Sequence, residues 1–213
     1  MRANNMKPLA LFARENRCAL LNTKMTILRS SGARLLAAAI LALPLATRAN
    51  GAPFIMDRAE SNVDIVVKAT LGSFVARLKD FDVAITLDPE SGWVETTAFH
   101  ADLSAVKTGI EDRDHNMSVW LQTNEFPKVV FELRAVDRSP NGALTARGRL
   151  QLHGQLHDIR FPVIVTVNRG LATIDGTATL DTVDFGLPII RFLILTVDPV
   201  VLVHFHLRGS LTR

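Results

Sequence analysis

Two histidines near the C-terminal end have a spacing that could bind a metal ion. His204 and His206 lie two residues apart in a predicted strand, so their side chains share one face. An imidazole from His100 or His153 would complete a zinc site with three nitrogen ligands. The same spacing is typical of the wet face of a half-buried strand, and no HExxH, EF-hand or carboxylate-cluster motif accompanies it. We therefore predict structural or solvent-facing histidines and no metal site.

A second group of reactive side chains is the charged run at residues 111–115. In a cleft, Asp114 and His115 could act as acid and base. Acidic residues in the first turn of a helix also stabilise the positive end of its dipole, which favours a structural or rim role for Arg113, Asp114 and His115. The sequence has no GxSxG motif and no phosphate-binding glycine loop. It therefore predicts no catalytic residue.

Residues 1–49 differ in composition from the rest of the chain. They contain eight Lys or Arg residues and one acidic residue, which leaves 16 basic and 20 acidic residues in 50–213. The basic balance of the whole chain therefore belongs to this leader and gives no reason to expect a nucleic-acid partner. The single cysteine, Cys18, also lies in the leader, so no thiol is expected in the domain that follows.

The leader has the order of a secretory signal peptide. Two arginines precede an apolar run at residues 35–46, and small residues follow it. A run of this length is shorter than the roughly 20 residues that span a bilayer, and no later segment is longer, so no membrane-spanning segment is expected after processing. Met25 would begin a signal of ordinary length, which leaves Met1 and Met25 as alternative starts. The sequence predicts export of a single domain, residues 50–213.

From Val63 onward, apolar and polar residues alternate with the period of a β-strand. Turn sequences such as residues 88–92 and 139–142 separate the alternating segments and favour antiparallel neighbours. The predicted strands are 63–69, 74–87 with a break at 79–80 left open, 93–106, 129–136, 144–152, 161–168, 171–180 and 201–207.

One segment, residues 110–124, has a helical pattern in which Ile110, Met117, Trp120 and Leu121 share a face. An all-β domain with about eight antiparallel strands favours a closed barrel, because closure removes the exposed edges of the sheet. A barrel of this size has room for one ligand. A two-sheet sandwich with a filled core would give the same alternation and remains the alternative architecture.

Six short motifs follow one another along the predicted domain: 71–74, 102–109, 113–116, 126–132, 148–154 and 184–187. Their order and spacing resemble those of the YceI-like, polyisoprenoid-binding family of exported bacterial proteins. The resemblance covers essentially the whole predicted domain. It implies an eight-stranded, lipocalin-like antiparallel β-barrel with one short helix, a periplasmic or secreted location, and no established catalytic activity.

The resemblance also implies an apolar tunnel that holds an isoprenoid chain, quinone-like or polyprenyl, and no other cofactor. Strand parity and the helix face assign eleven residues to its wall. They are Phe74, Phe99, Trp120, Phe131, Leu133, Leu150, Leu152, Phe161, Val163, Val203 and Phe205.

Three functions are compatible with these patterns. The leading hypothesis is an exported protein that carries or sequesters a polyisoprenoid or similar long apolar lipid. The second is a barrel enzyme that acts on a lipophilic substrate, with Asp114 and His115 as acid and base. The third is a filled sandwich that acts through surface contacts. The sequence leaves the oligomeric state, the lipid chain length and the head group open.

The signal-peptide pattern predicts that the exported protein begins near Asn50 or a few residues later, because signal peptidase cleaves after small residues that follow the apolar run. N-terminal sequencing of protein purified from the periplasm would measure this. Recovery of the intact leader on that protein would contradict the prediction.

Overall fold

The computed structural model describes residues 51–212, apart from the side chains of Phe192 and Leu195. Thirteen strands make up most of it. They are β1 (Ala52–Met56), β2 (Asn62–Ala69), β3 (Gly72–Leu78), β4 (Phe81–Leu87), β5 (Val94–Asp102), β6 (Val106–Lys107), β7 (Lys128–Arg138), β8 (Leu144–Leu152), β9 (Gln155–Asn168), β10 (Leu171–Asp181), β11 (Arg191–Phe192), β12 (Leu195–Thr196) and β13 (Val200–Leu211). A 3-10 turn, Leu103–Ala105, and one α-helix, α1 (Glu111–Trp120), complete the description.

The long strands form a closed, eight-stranded antiparallel barrel in which each strand pairs with the next one along the chain. β1 and β2 are two halves of the first barrel strand, and β3 and β4 are two halves of the second. The register shows this, because Ala52 pairs with Leu87 and Val63 pairs with Leu78. The ring closes where β13 pairs with β10 on one side and with both β1 and β2 on the other. The predicted barrel is confirmed, and the sandwich alternative is wrong.

The up-and-down order places the connections at two ends of the barrel. We call the open end the one that carries the β2–β3 turn, the β6–β7 connection with α1, the β8–β9 turn and the β10–β13 connection. The β11–β12 hairpin lies within the last of these. The closed end carries the β4–β5, β7–β8 and β9–β10 turns. Phe54, Leu87 and Ala172 are buried among the strands and fill this end.

Several element boundaries differ from the sequence prediction. Two short elements, β1 and the β11–β12 hairpin, are additional, and β9 begins at Gln155 instead of Phe161. The predicted helix, 110–124, is too long at its C-terminal end. It stops at Trp120 because Gln122 adopts a left-handed conformation with φ of 51°, which ends the helical hydrogen bonding. Within residues 51–212, no helix has the length and apolar composition to cross a bilayer.

Asp114 fixes the first turn of α1 to the preceding segment. Its carboxylate accepts hydrogen bonds from the backbone N–H and from the hydroxyl of Thr108, each at 2.6 Å. The hydroxyl bond, followed by the backbone bond, lowers the pKa of Asp114 below its ordinary value. Both bonds are stronger to the ionised carboxylate than to the neutral acid, so the ionised side chain holds the start of the helix in place.

We predict that Asp114→Asn lowers the free energy of unfolding at neutral pH. The folded-state pKa of Asp114 is depressed, so its contribution is fully present above the unfolded pKa of about 3.9. The contribution starts to fall below the unfolded value and is lost as the pH falls through the lower folded value, so the stabilities of wild type and variant should begin to converge below about pH 4. Urea unfolding between pH 7 and pH 3 measures the difference.

Glu111→Gln is the matched control, because it removes an acidic residue from the same first turn and leaves the bonds to Thr108 intact. A difference between wild type and Asp114→Asn that does not change with pH would show that the charge of Asp114 plays no part.

Candidate functional site

The barrel encloses an apolar cavity of about 820 Å³. Inward-facing side chains from every long strand line it, together with α1 and the β10–β13 connection. Its volume lies within the range of about 300–1,000 Å³ that is typical of ligand pockets. The polar lining residues are few: Thr97, Asp112, Arg113, Asn116, Thr182 and Asp198. The cavity can therefore accommodate an apolar chain along most of its length without burying an unpaired polar group.

The structure places all eleven residues that the sequence assigns to an apolar wall in the lining of this cavity: Phe74, Phe99, Trp120, Phe131, Leu133, Leu150, Leu152, Phe161, Val163, Val203 and Phe205. Ten of them lie on strands, where alternate residues point to the same side of the sheet. Their geometric grouping is therefore a finding, and their role in binding a lipid stays a prediction.

Two phenylalanine rings owe their positions in the wall to glycines on neighbouring strands. A Cβ atom added at Gly148 would meet the ring of Phe131, and one added at Gly176 would meet the ring of Phe205. The rings lie across these glycines and approach a third ring, that of Phe161, at centroid distances of 5.5 and 5.6 Å. This aromatic group forms one side of the cavity between β7, β9 and β13.

The mouth of the cavity lies at the open end. Lining residues that are also exposed to solvent mark it: Ile110, Asp112, Asn116, Pro188, Ile189 and Asp198. Half-buried Arg113 lies beside them, with its guanidinium 4.5 Å from the centroid of the Phe74 ring, a cation–π contact. Polar atoms are thus concentrated where a ligand would leave the apolar interior. A polar head group could remain hydrated there while its tail is buried.

The three residues predicted to have a rim or structural role are separated by the structure. Arg113 lines the mouth, whereas Asp114 and His115 are not among the described residues that line the cavity. Asp114 is bonded to Thr108, and His115 is exposed on the outer side of α1. The two residues that the enzyme hypothesis uses as acid and base therefore do not line the cavity.

The β10–β13 connection partly covers the open end. Phe185 and Leu187 are each 2% exposed and pack into the barrel. The indole N–H of Trp120 donates a hydrogen bond to the carbonyl oxygen of Pro188 at 2.8 Å, which joins α1 to this connection. His153 lies 3.0 Å from the carbonyl oxygen of Phe185 through Nδ1 and 2.8 Å from the side-chain oxygen of Gln122 through Nε2. The cover is therefore attached to both the helix and the β8–β9 turn.

The histidines considered as zinc ligands make separate contacts with other side chains. His206 pairs with Asp175 at 2.6 Å and His204 hydrogen-bonds to Thr177 at 2.8 Å, both between β10 and β13. His100 lies 3.4 Å from an oxygen of Asp82, in the β4–β5 pair. In the part of the chain that the structure describes, no three His, Cys, Asp or Glu side chains form a group that could hold a metal ion.

Sequence reasoning missed the mouth residues of the β10–β13 connection, Pro188 to Ile190 and Val197 to Pro199. They lie in irregular chain, where period-2 alternation carries no information. The apolar run at 187–197 was the available signal for these residues, because its isoleucines and leucines lie outside every predicted strand and still have to be buried or to contact a partner.

The comparisons with known proteins agree with this geometry. A UPF0312 protein of Vibrio cholerae serotype O1 is 25% identical over 167 residues, which cover 71% of this chain and 85% of that protein. The crystal structure of Burkholderia cenocepacia BcnA has a TM-score of 0.66 at 20% identity and covers 73% of this chain and 100% of its own. A polyisoprenoid binding domain from Saccharophagus degradans, implicated in plant cell wall breakdown, has a TM-score of 0.56 at 15% identity, over 76% and 99% of the two chains.

At these identities the solved structures show a shared fold. The family itself is shown by the sequence, because the YceI-like domain matches residues 54–208. The match extends from β1 to β13 and includes all the strands that enclose the cavity. The barrel with the apolar cavity therefore belongs to the YceI-like family.

Proposed function

We propose that this protein binds a polyisoprenoid or similar long apolar lipid inside its barrel, as a carrier or a sequestering protein. The observation that carries the proposal is the cavity of about 820 Å³, whose wall is apolar except at Thr97 and near the open end. An apolar chain gains free energy in such a site through the removal of its surface from water. A quinone-like or polyprenyl head group would lie near Arg113, Asp112 and Asn116.

The size of the hydrophobic gain is sufficient for a tail binder. A micromolar complex needs about 8 kcal/mol of net binding free energy. Association costs about 4 to 15 kcal/mol in addition. Burial of one carbon contributes about 0.8 kcal/mol, so about three to six five-carbon units would supply the sum. No charged contact is required, although one at the mouth would orient the head group.

Two further observations support the proposal. The Saccharophagus degradans neighbour is described as a polyisoprenoid binding domain, and it shares this fold. The signal-peptide pattern of residues 35–46, which lies outside the described residues, favours export to the periplasm or beyond. A long apolar lipid that passes between membranes must cross water there, and the apolar cavity would shield its chain.

Organic extraction and mass spectrometry of the purified protein test the proposal. The full chain would be produced in a bacterium whose membranes contain isoprenoid quinones, and the folded protein would be extracted without added lipid. We expect about one lipid with an isoprenoid chain per barrel. Folded protein that carries no lipid, and that takes none up from quinone or polyprenol suspensions, would contradict the proposed function.

The wall of the cavity predicts which substitutions abolish binding. Phe131→Asp or Leu152→Asp places a carboxylate in the apolar lining, where it must lose its hydration without gaining a partner. We expect lipid content to fall to background in both. Arg113→Ala should reduce affinity by about tenfold or less, the scale of one polar contact of about 1 kcal/mol. Lipid retained per folded protein measures each effect, and circular dichroism reports on folding.

Ile164→Asp is the matched control, because Ile164 is 67% exposed on the outer face of β9, next to the inward-facing Val163. If the carboxylates of the two wall variants prevent folding, Ala178→Phe provides a second test. It fills part of the cavity with an apolar ring and introduces no charge. It should exclude the longest chains. If Arg113→Ala emptied the barrel while Ala178→Phe left its lipid unchanged, recognition would reside in the head group.

A further inference from the structure

The most exposed large hydrophobic residues of the described chain lie at the open end. Leu193 is 91% exposed, Ile194 is 79% exposed and Leu71 is 75% exposed. Leu193 and Ile194 form the turn of the β11–β12 hairpin, and Leu71 lies in the β2–β3 turn. Single exposed apolar residues are common on protein surfaces, but a group at one end of a barrel, beside the mouth of an apolar cavity, indicates an interaction site.

The two turns form one structural unit, which we call the apolar tips (residues 70–71 and 193–194). The backbone N–H of Thr70 donates to the carbonyl oxygen of Thr196, and the N–H of Thr196 donates to the hydroxyl of Thr70, each at 3.0 Å. The N–H of Asp198 donates to the carbonyl oxygen of Lys68 at 2.8 Å. The exposed side chains are thus carried on two joined hairpins.

The β11–β12 turn has an unusual sequence for its geometry. Leu193 has a φ of 52°, a left-handed conformation that hairpin turns usually assign to Gly, Asn or Asp. A branched apolar side chain at such a position is conformationally unfavourable. Because the Leu193 side chain is exposed, it gains no free energy of burial that would offset this cost. Leucine at this position is therefore better explained by a contact that the isolated chain lacks.

The closed end has the opposite character. Its turns at residues 88–92, 139–142 and 168–170 consist of the residues DPESG, SPNG and NRG. Among the described residues, none of these turns contains an exposed large hydrophobic side chain. Ile164 and Leu171 are exposed elsewhere on the described surface, but the three largest exposed fractions belong to the tips, at the end where the cavity opens.

The charge of the tips favours one class of partner. Between residues 66 and 75 and between residues 187 and 197, the charged residues are Lys68 and Arg191, one cation in each hairpin. Both are exposed. The exposed acidic residues Asp112 and Asp198 lie at the mouth, and Asp198 directly follows the second segment at the base of its hairpin. Apolar side chains flanked by cations fit a bilayer surface that contains anionic phospholipids, which attracts basic residues near its apolar boundary.

The tips are continuous with the cavity. Val67 and Phe74 of the β2–β3 hairpin line the cavity, as do Ile189, Ile190 and Val197 at the base of the β11–β12 hairpin. Contact of the tips with a bilayer would bring the mouth to the membrane surface. An apolar chain could then pass between bilayer and barrel with little exposure to water.

We propose that the open end docks on an anionic phospholipid bilayer, with Leu71, Leu193 and Ile194 inserted at the boundary between head groups and acyl chains and with Lys68 and Arg191 against the head groups. The exchange of ligand at this position rests on the proposed lipid-binding function. The docking itself does not, because it depends on residues that lie outside the cavity wall.

Vesicle flotation tests the docking with protein produced from the full chain. The probes are phosphatidylcholine vesicles with and without 30% phosphatidylglycerol, a proportion of about one anionic lipid in three, sufficient for a negative surface potential. We expect wild type to float with the anionic vesicles. The double substitution Leu193→Asp with Ile194→Asp should lower the bound fraction at least tenfold, and Lys68→Gln with Arg191→Gln should remove the preference for phosphatidylglycerol.

Ile164→Asp, on the barrel wall, should bind vesicles like wild type. The tip variant should still retain its lipid after purification, whereas Phe131→Asp should lose its lipid and still float. Vesicle binding that the tip variant retains would overturn the docking proposal, as would a wild type that does not float. A tip-dependent dimer in sedimentation without vesicle binding would instead assign the tips to contact between copies. An empty wild type that floats would contradict the proposed function alone.

Discussion

The closure of the barrel through β13 is the interaction on which the rest of the structure depends. This strand pairs with β10 along its whole length and, on its other edge, with β2 at residues 202–206 and with β1 at residues 209–211. Closure leaves the large sheet without a long open edge, so backbone hydrogen bonds are satisfied within the wall and do not require a filled interior. The fold can therefore tolerate a large apolar space that a sandwich of the same length would have to fill.

The packing of the interior changes along the barrel axis. Phe54, Leu87 and Ala172 pack in one buried cluster at the closed end, and Leu152 and Phe185 belong to a second buried cluster toward the open end. Toward the open end, wall residues such as Val203 and Phe205 are only half-buried, because the space in front of them is the cavity. Occupation by an apolar chain would complete their burial, so binding of the proposed lipid would raise the folding stability.

The regular part of the fold could be predicted from the sequence, since one face of each strand had to be apolar. Alternation placed Phe131, Leu150 and Val203 on the inner side before any pairing was known. It failed at the first half of β9, where apolar Leu156 is exposed and polar His157 is half-buried, so the alternation of burial does not coincide with an alternation of apolar and polar residues. The β10–β13 connection was equally inaccessible, because its path is determined by the insertion of Phe185 and by bonds to α1 and β2, which are contacts between distant parts of the chain.

The glycines beneath the phenylalanine rings have an evolutionary consequence. Gly148 and Gly176 contribute no side chain to the cavity, yet they determine how far Phe131 and Phe205 recede from its centre. A single methyl group gained at Gly176 would push the ring of Phe205 inward and narrow the space without any change in the polarity of the wall, whereas one gained at Gly148 would also meet the backbone carbonyl oxygen of Glu132. Relatives with this fold could thus diverge in the length of the molecule they accept through residues that never contact it.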